Sequence, residues 1–211
     1  MKRNLRRVGR FISIFYPRNI YKILAKLYSM TNDLSGTRTD EIIRIISDKK
    51  YKNYLEVGVW QRDNLLPIAE KFPDIICYGV DPYSAENYLD NVKLVNILKL
   101  DDKIHEKVYS SVQYKAERLN NIAIIRKTSK EAGKDFEDES LDIVFIDARH
   151  DYGSVIKDIK SWLPKVKSGG GVLCGHDYSL QFFGVIEAVN DEIGYDNVSI
   201  KSDATWFYVK I

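Results

Sequence analysis

From about residue 37 onward the chain predicts an α/β domain built on a mostly parallel sheet with helices on both faces. Three observations carry that expectation. Strand-like apolar runs alternate with helical patterns to the end of the chain. The run 141–146, apolar but for Asp142, reads as a strand covered on both faces. Two short strands joined by a tight connection close the chain and add an antiparallel edge. With 211 residues, the length suits one domain plus a short appendage. The division expected is a basic helical extension or lid over 1–36 and the α/β domain over 37–211.

Taken in order, residues 18–30 carry Tyr21, Ile23, Leu24, Leu27 and Tyr28 at helical spacing and read as an amphipathic helix. Ile42, Ile43, Ile45 and Ile46 follow Thr39, which predicts a helix capped by that threonine. A strand is expected at 53–57, a helix at 65–72 and a strand at 75–80. Residues 84–120 are polar and largely helical. Then come a strand at 122–125, a short helix at 129–136, the buried strand at 141–146 and a helix at 152–163. The last of these places Val155, Ile156, Ile159, Trp162 and Leu163 on one face. A glycine turn at 169–171 leads into a strand at 171–174. A helix at 181–193 and strands at 198–201 and 205–210 complete the reading.

Composition narrows the function. Hydrophobic residues make 45% and charged residues 29%, an ordinary globular balance. Cys77 and Cys174 lie far apart in apolar runs, which excludes a disulfide framework or cysteine-rich zinc site and fits the cytoplasm. The net charge of +2 conceals an asymmetry. Residues 1–32 hold eight Lys/Arg and no acid, so the other 179 residues carry 24 basic against 30 acidic groups. The apolar run 11–16 is too short for a secretory signal, which needs ~7–15 residues, and it stops at Pro17. No stretch of ~20 apolar residues offers a membrane span. The basic segment reads as a helix or lid packed on the domain, or as a peripheral contact with anionic membrane or a glycan carrier.

Ligands of such sheets bind beyond the carboxyl ends of the strands. The first strand ends Glu56-Val57-Gly58-Val59-Trp60, where a glycine lets the backbone approach a ligand. The next glycine is Gly79, so the spacing that cradles a dinucleotide pyrophosphate is absent, as is a P-loop. The second strand ends at Asp81, 25 positions after Glu56, suited either to the two hydroxyls of a ribose or to starting a turn before Pro82. Thr128-Ser129 follows the third strand and offers a hydroxyl to a helix cap or an adenine edge. The fourth strand runs into Asp147, His150 and Asp151, and the fifth into His176 and Asp177. Two of the three histidines therefore fall beside carboxylates at adjacent strand ends, the pattern of an active site.

These residues resemble the class I S-adenosylmethionine-dependent methyltransferases, and more narrowly the small sugar or macrocin-type O-methyltransferases. The resemblance spans roughly 38–211. It rests on Leu55-Glu56-Val57-Gly58-Val59-Trp60, on Gly79-Val80-Asp81-Pro82-Tyr83, and on the run from Phe145-Ile146-Asp147 through His150, Tyr152, Asp158, Trp162 and Gly169-Gly170 to Gly175-His176-Asp177-Tyr178. Thr205-Trp206-Phe207-Tyr208-Val209 matches the family's closing strand. The family's Rossmann-like fold implies a seven-stranded sheet in the order 3-2-1-4-5-7-6. It also implies S-adenosylmethionine as cofactor, with Glu56 and Gly58 along its methionine part, Asp81 on the ribose, Ser129 near the adenine and Asp147 as a further cofactor-binding residue. Related metal-dependent members imply a divalent ion, Mg²⁺ or Mn²⁺, at Asp147, His176 and Asp177. Two departures stand out: Arg62 where a second glycine is usual, and His176 in place of a carboxylate.

The chemistry expected is O-methylation of a sugar or other small-molecule hydroxyl. His150 is the favoured general base, His176 the other candidate, and Asp147 an orienting group. The competing reading is a catalytically inactive cofactor-binding or regulatory scaffold, which Arg62 supports and the retained histidine–carboxylate pairs oppose. An aminopropyl transferase would call for an acidic polyamine groove, of which the sequence shows no clear sign. The acidic body disfavours nucleic acid as substrate. The acceptor is expected to be a small molecule or glycan, with a homo-oligomer left open.

Overall fold

A computed structural model describes residues 38–60, 64–86, 101–201 and 203–211. The expected extension over 1–36, its helix at 18–30 and Arg62 lie outside these residues. The elements, in chain order, are α1 (Arg38–Lys49), β1 (Asn53–Val57), α2 (Leu65–Lys71), β2 (Ile76–Val80), α3 (Asp102–Ala116), β3 (Ile122–Ile125), α4 (Ser129–Ala132), β4 (Ile143–Ile146), α5 (Tyr152–Trp162), β5 (Val172–Gly175), α6 (Phe183–Ile193), β6 (Ser199–Ile200) and β7 (Trp206–Val209). They build one seven-stranded sheet in the order β3-β2-β1-β4-β5-β7-β6. The β1, β2, β3, β4 and β5 pairings are parallel, and β7 runs against both β5 and β6. The expected topology is therefore the observed one. Strand β7 lies inside the sheet, and β6 forms the edge.

Side chains alternate across the sheet with a period of two, and the two apolar layers follow from that alternation. Leu55, Val57, Val144, Ile146 and Leu173 pack with Val155, Ile159 and Trp162 of α5 and Val185, Ala188 and Val189 of α6. Tyr54, Cys77, Ile143, Phe145, Val172 and Cys174 pack on the other side with Ile42 and Ile46 of α1, Leu65 and Ile68 of α2 and Val112 of α3. Each fully buried side chain of this kind stabilises the fold by ~1.5–3 kcal/mol. Both cysteines are buried and unbridged. The parity that sends Tyr54 toward α1 and α2 sends Glu56 the same way, which sets up the site.

Several local expectations shift. The strand expected at 141–146 starts only after Asp142, at Ile143, and Leu141 makes an isolated bridge to Val166 instead of joining the ladder. Helix α1 already includes Arg38, and the Thr39 hydroxyl donates to Asn64 Oδ1 at 2.5 Å, so Thr39 joins two helices rather than capping one. The helix expected at 129–136 is one α-turn continued by a 3-10 turn over Gly133–Asp135. Among the described residues no helix is long and apolar enough to cross a membrane.

Candidate active site

The carboxyl ends of β1, β2, β4 and β5 converge on a cluster of charged and aromatic groups. Glu56, near the end of β1, is only 2% exposed, and its Oε2 accepts the Tyr54 hydroxyl at 3.0 Å. Burial pushes its carboxyl up to about 8. The neighbouring Asp147 charge adds to the rise, while Tyr54, Arg38 and Asn64 oppose it. Gly58 follows with φ of 89°, and its N–H donates to the Val80 carbonyl at 2.9 Å. A Cβ there would collide with the Asp147 carbonyl. The expectation tied this glycine to ligand approach; the structure adds that it lets the β1 loop lie against the β4 end.

Asp147 stands directly after β4, and burial raises its carboxyl above the usual range despite the opposing charges of Arg38, His176 and His150. Its Oδ2 pairs with Arg38 Nη1 at 3.2 Å. Arg38 Nε donates to Asn64 Oδ1 at 3.3 Å. The first turn of α1 therefore reaches into the corner formed by Glu56, Asn64 and Asp147. Sequence reasoning missed Arg38, since only the packing of α1 beside α2 brings it there.

Asp81 lies at the end of β2, next to β1, and is almost completely buried. Its Oδ2 accepts the Trp60 N–H at 2.9 Å and its Oδ1 accepts the Tyr83 N–H at 2.8 Å. Trp60 and Tyr83 both hold left-handed backbones, with φ of 41° and 46°. The carboxylate thus fastens two strained loops at the place where a ribose was expected. Beyond β3 the capping is done by Thr128, in a reciprocal box with Glu131. The Ser129 hydroxyl turns toward α5, where it accepts Trp162 Nε1 at 2.8 Å and bonds the buried Asp158. Burial raises Asp158 to about 6.

The third part joins the two histidines through one carboxylate. His150 Nε2 lies 2.8 Å from Asp177 Oδ2, and His176 Nδ1 lies 3.2 Å from Asp177 Oδ1. A left-handed backbone at Asp177, φ 61°, turns the carboxylate toward both rings. Burial alone would raise Asp177, but the two histidine hydrogen bonds outweigh it and hold the group below the usual carboxylate range. Burial would likewise lower His176, yet the Asp177 hydrogen bond and charge leave it raised. Phe182 stacks on the His150 ring, with centroids 4.3 Å apart and planes 31° from parallel. Gly184 allows this approach, because a Cβ there would press on His150 O and Tyr152 N. Nothing in the sequence pattern singled out Phe182.

Of the groups expected to hold a metal, Asp147 and Asp177 do come together. The third ligand atom within reach is on His150: the three groups offer atoms within 4.8 Å of one another. His176, whose Nδ1 lies 3.2 Å from Asp177 Oδ1, is not part of this trio.

Comparison with known proteins agrees with this geometry. A family described as a methyltransferase domain matches residues 55–178, from β1 through both histidines. A curated relative, the uncharacterized protein y4gI of Sinorhizobium fredii, is 34% identical over 80 residues; these are 37% of this chain and 9% of that protein, so the chain spans only a small part of its length. An O-methyltransferase from Bacillus cereus, solved in complex with SAH, superposes with a TM-score of 0.53 at 14% identity over 96% of this chain and 97% of that one. CalS11, a TDP-rhamnose 3'-O-methyltransferase, superposes with a TM-score of 0.54 at 13% identity over 81% and 77% of the two chains. Fold, strand-end residues and the family match together make this chain a member of the methyltransferase-domain family.

Proposed function

We propose that the protein methylates a hydroxyl oxygen of a sugar or another small molecule, free or glycan-linked. The observation that carries this reading is the His150–Asp177 pair, 2.8 Å apart, beside Asp147 at the sheet's carboxyl edge. When bound, S-adenosylmethionine supplies a methyl group already activated on a sulfonium. The residues present fit such a donor. Glu56 is a carboxyl that burial pushes up to about 8 despite the Arg38 charge, so it is largely protonated at neutral pH, and Asp147 lies beside it. A cationic amino-acid end complements both. In this reading Asp81 takes the ribose hydroxyls and Ser129, at the start of α4, lies near the adenine.

The remaining work is to align an acceptor oxygen and remove its proton. Alignment of this kind can supply ~7–11 kcal/mol. With Nε2–H donated to Asp177, Nδ1 of His150 would take the acceptor's hydroxyl proton as the oxygen–methyl bond forms and the sulfonium–methyl bond breaks, the donor leaving as the neutral thioether S-adenosylhomocysteine. Asp177 fixes the tautomer and stabilises the imidazolium, while Phe182 holds the ring's face. His176, on the second oxygen of Asp177, keeps that carboxylate in place.

A second reading has its own observation, the converging atoms of Asp147, His150 and Asp177. Two carboxylates and one imidazole would hold a divalent ion, with Mn²⁺ suited better than Mg²⁺ by the nitrogen ligand. Bound there, the ion would lower the acceptor hydroxyl's pKa. His150 cannot be base and ligand at once, so activity after chelation separates the two readings.

The test of the function uses methyl-labelled S-adenosylmethionine with a panel of free, nucleotide-linked and lipid-linked sugars and simple catechols. Label recovered as an oxygen-bound methyl on one class supports the proposal. Label recovered on nitrogen or carbon overturns it.

A further inference from the structure

Arg38 has a place in the site that the methyl-transfer chemistry does not account for. Its guanidinium is inside the corner formed by Glu56, Asn64 and Asp147, with Asp147 at 3.2 Å and Asn64 at 3.3 Å. Its charge reaches Glu56, Asp147 and His176 as well. These contacts engage Nη1 and Nε, and Nη2 has no acceptor among the described residues. The side chain is about a quarter exposed, so it is reachable from the ligand side.

We infer that Arg38 is the receptor for the α-carboxylate of the donor's methionine end and makes the pocket select S-adenosylmethionine over its decarboxylated form. The inference rests on the donor's methionine end lying over β1 and β4. An amino-acid end carries a carboxylate and an ammonium on one carbon. Arg38 and Asp147 present the complementary charges side by side. A planar guanidinium with five donors can keep Asn64 and Asp147 while offering a further N–H to a carboxylate. Selection also has a repulsive half. The decarboxylated donor keeps the sulfonium and the ammonium but has lost its anion, so it would bring two cations toward Arg38 and offer the guanidinium no acceptor beyond Asn64 and Asp147. The same arginine therefore steers the fold away from aminopropyl transfer, whose donor is that decarboxylated form.

The experiment is calorimetric binding of S-adenosylmethionine and decarboxylated S-adenosylmethionine to the wild type, Arg38→Gln and Arg38→Lys, with thermal unfolding of each variant as the folding control. One charge-assisted contact to the carboxylate corresponds to a wild-type preference of about 10- to 100-fold. In Arg38→Gln, affinity for S-adenosylmethionine should fall to that of the decarboxylated form, while the latter's affinity does not fall. Arg38→Lys, which keeps the charge without the fork, should retain part of the preference. Equal weakening of both ligands in Arg38→Gln would mean that the arginine only supports the pocket, and the inference would be wrong. Equal affinity of the wild type for both would overturn it too, leaving the donor assignment intact. A wild type that binds neither would overturn the donor assignment itself.

Discussion

Glu56 should make donor binding depend on pH, and the structure gives both sign and size. The carboxyl is buried and pushed up to about 8, so at pH 7 roughly nine in ten ligand-free molecules carry it protonated. A cationic ligand end placed beside it favours the carboxylate, so binding at pH 7 should release close to one proton. Affinity should then rise about tenfold, or ~1.4 kcal/mol, per pH unit from pH 6 until it levels off near 8. The assay is calorimetry with S-adenosylhomocysteine in two buffers of different ionisation enthalpy, repeated from pH 6 to 8. In Glu56→Gln, which resembles the protonated side chain, the slope should vanish. Stability of the ligand-free protein carries the opposite sign. The folded state binds the proton more tightly than the unfolded chain, so Glu56's contribution is complete below pH 4.5 and is lost by ~1.4 kcal/mol per unit as pH rises toward 8. Buffer-independent heats together with a flat affinity from pH 6 to 8 would refute the reasoning.

Three further outcomes follow from the same geometry. Asp81→Ala removes two buried charge-assisted bonds, so it should cost about 3 kcal/mol in denaturant unfolding and weaken S-adenosylhomocysteine as well; unchanged affinity would count against the ribose role. Gly58→Ala combines a left-handed backbone with a collision against the Asp147 carbonyl, and should destabilise by about 2–5 kcal/mol in the same assay. Turnover should survive EDTA if His150 is the base, whereas loss on chelation and recovery with Mn²⁺ would select the metal-bound arrangement of Asp147, His150 and Asp177.

Much of the fold was legible because it is written in periodicity. The apolar run of β4 announces a buried parallel strand, and the strand-end motifs place Glu56, Asp81, Asp147 and Asp177 along one edge. What stayed hidden depends on tertiary approach. Arg38 and Thr39 looked like an ordinary helix start, and only the packing of α1 beside α2 carries them to Asn64 and Asp147. Phe182 had no sequence signal, because its meeting with His150 depends on how closely α6 abuts the β4 loop. Both histidines were seen beside carboxylates. Which of them offers a ring nitrogen to the trio with Asp147 and Asp177 is set by tertiary placement, and it is His150 rather than His176. Ser129 shows the same limit, since its hydroxyl faces Trp162 and Asp158 across the α4–α5 contact.

The most direct test of the central claim pairs single-turnover methyl transfer to the accepted sugar or small molecule with S-adenosylhomocysteine affinity, for the wild type and His150→Ala. Removing the base should slow transfer by about 10²- to 10⁴-fold. Affinity for S-adenosylhomocysteine should stay that of the wild type, because His150 serves the acceptor side of the site. Near-normal transfer in His150→Ala would contradict the account.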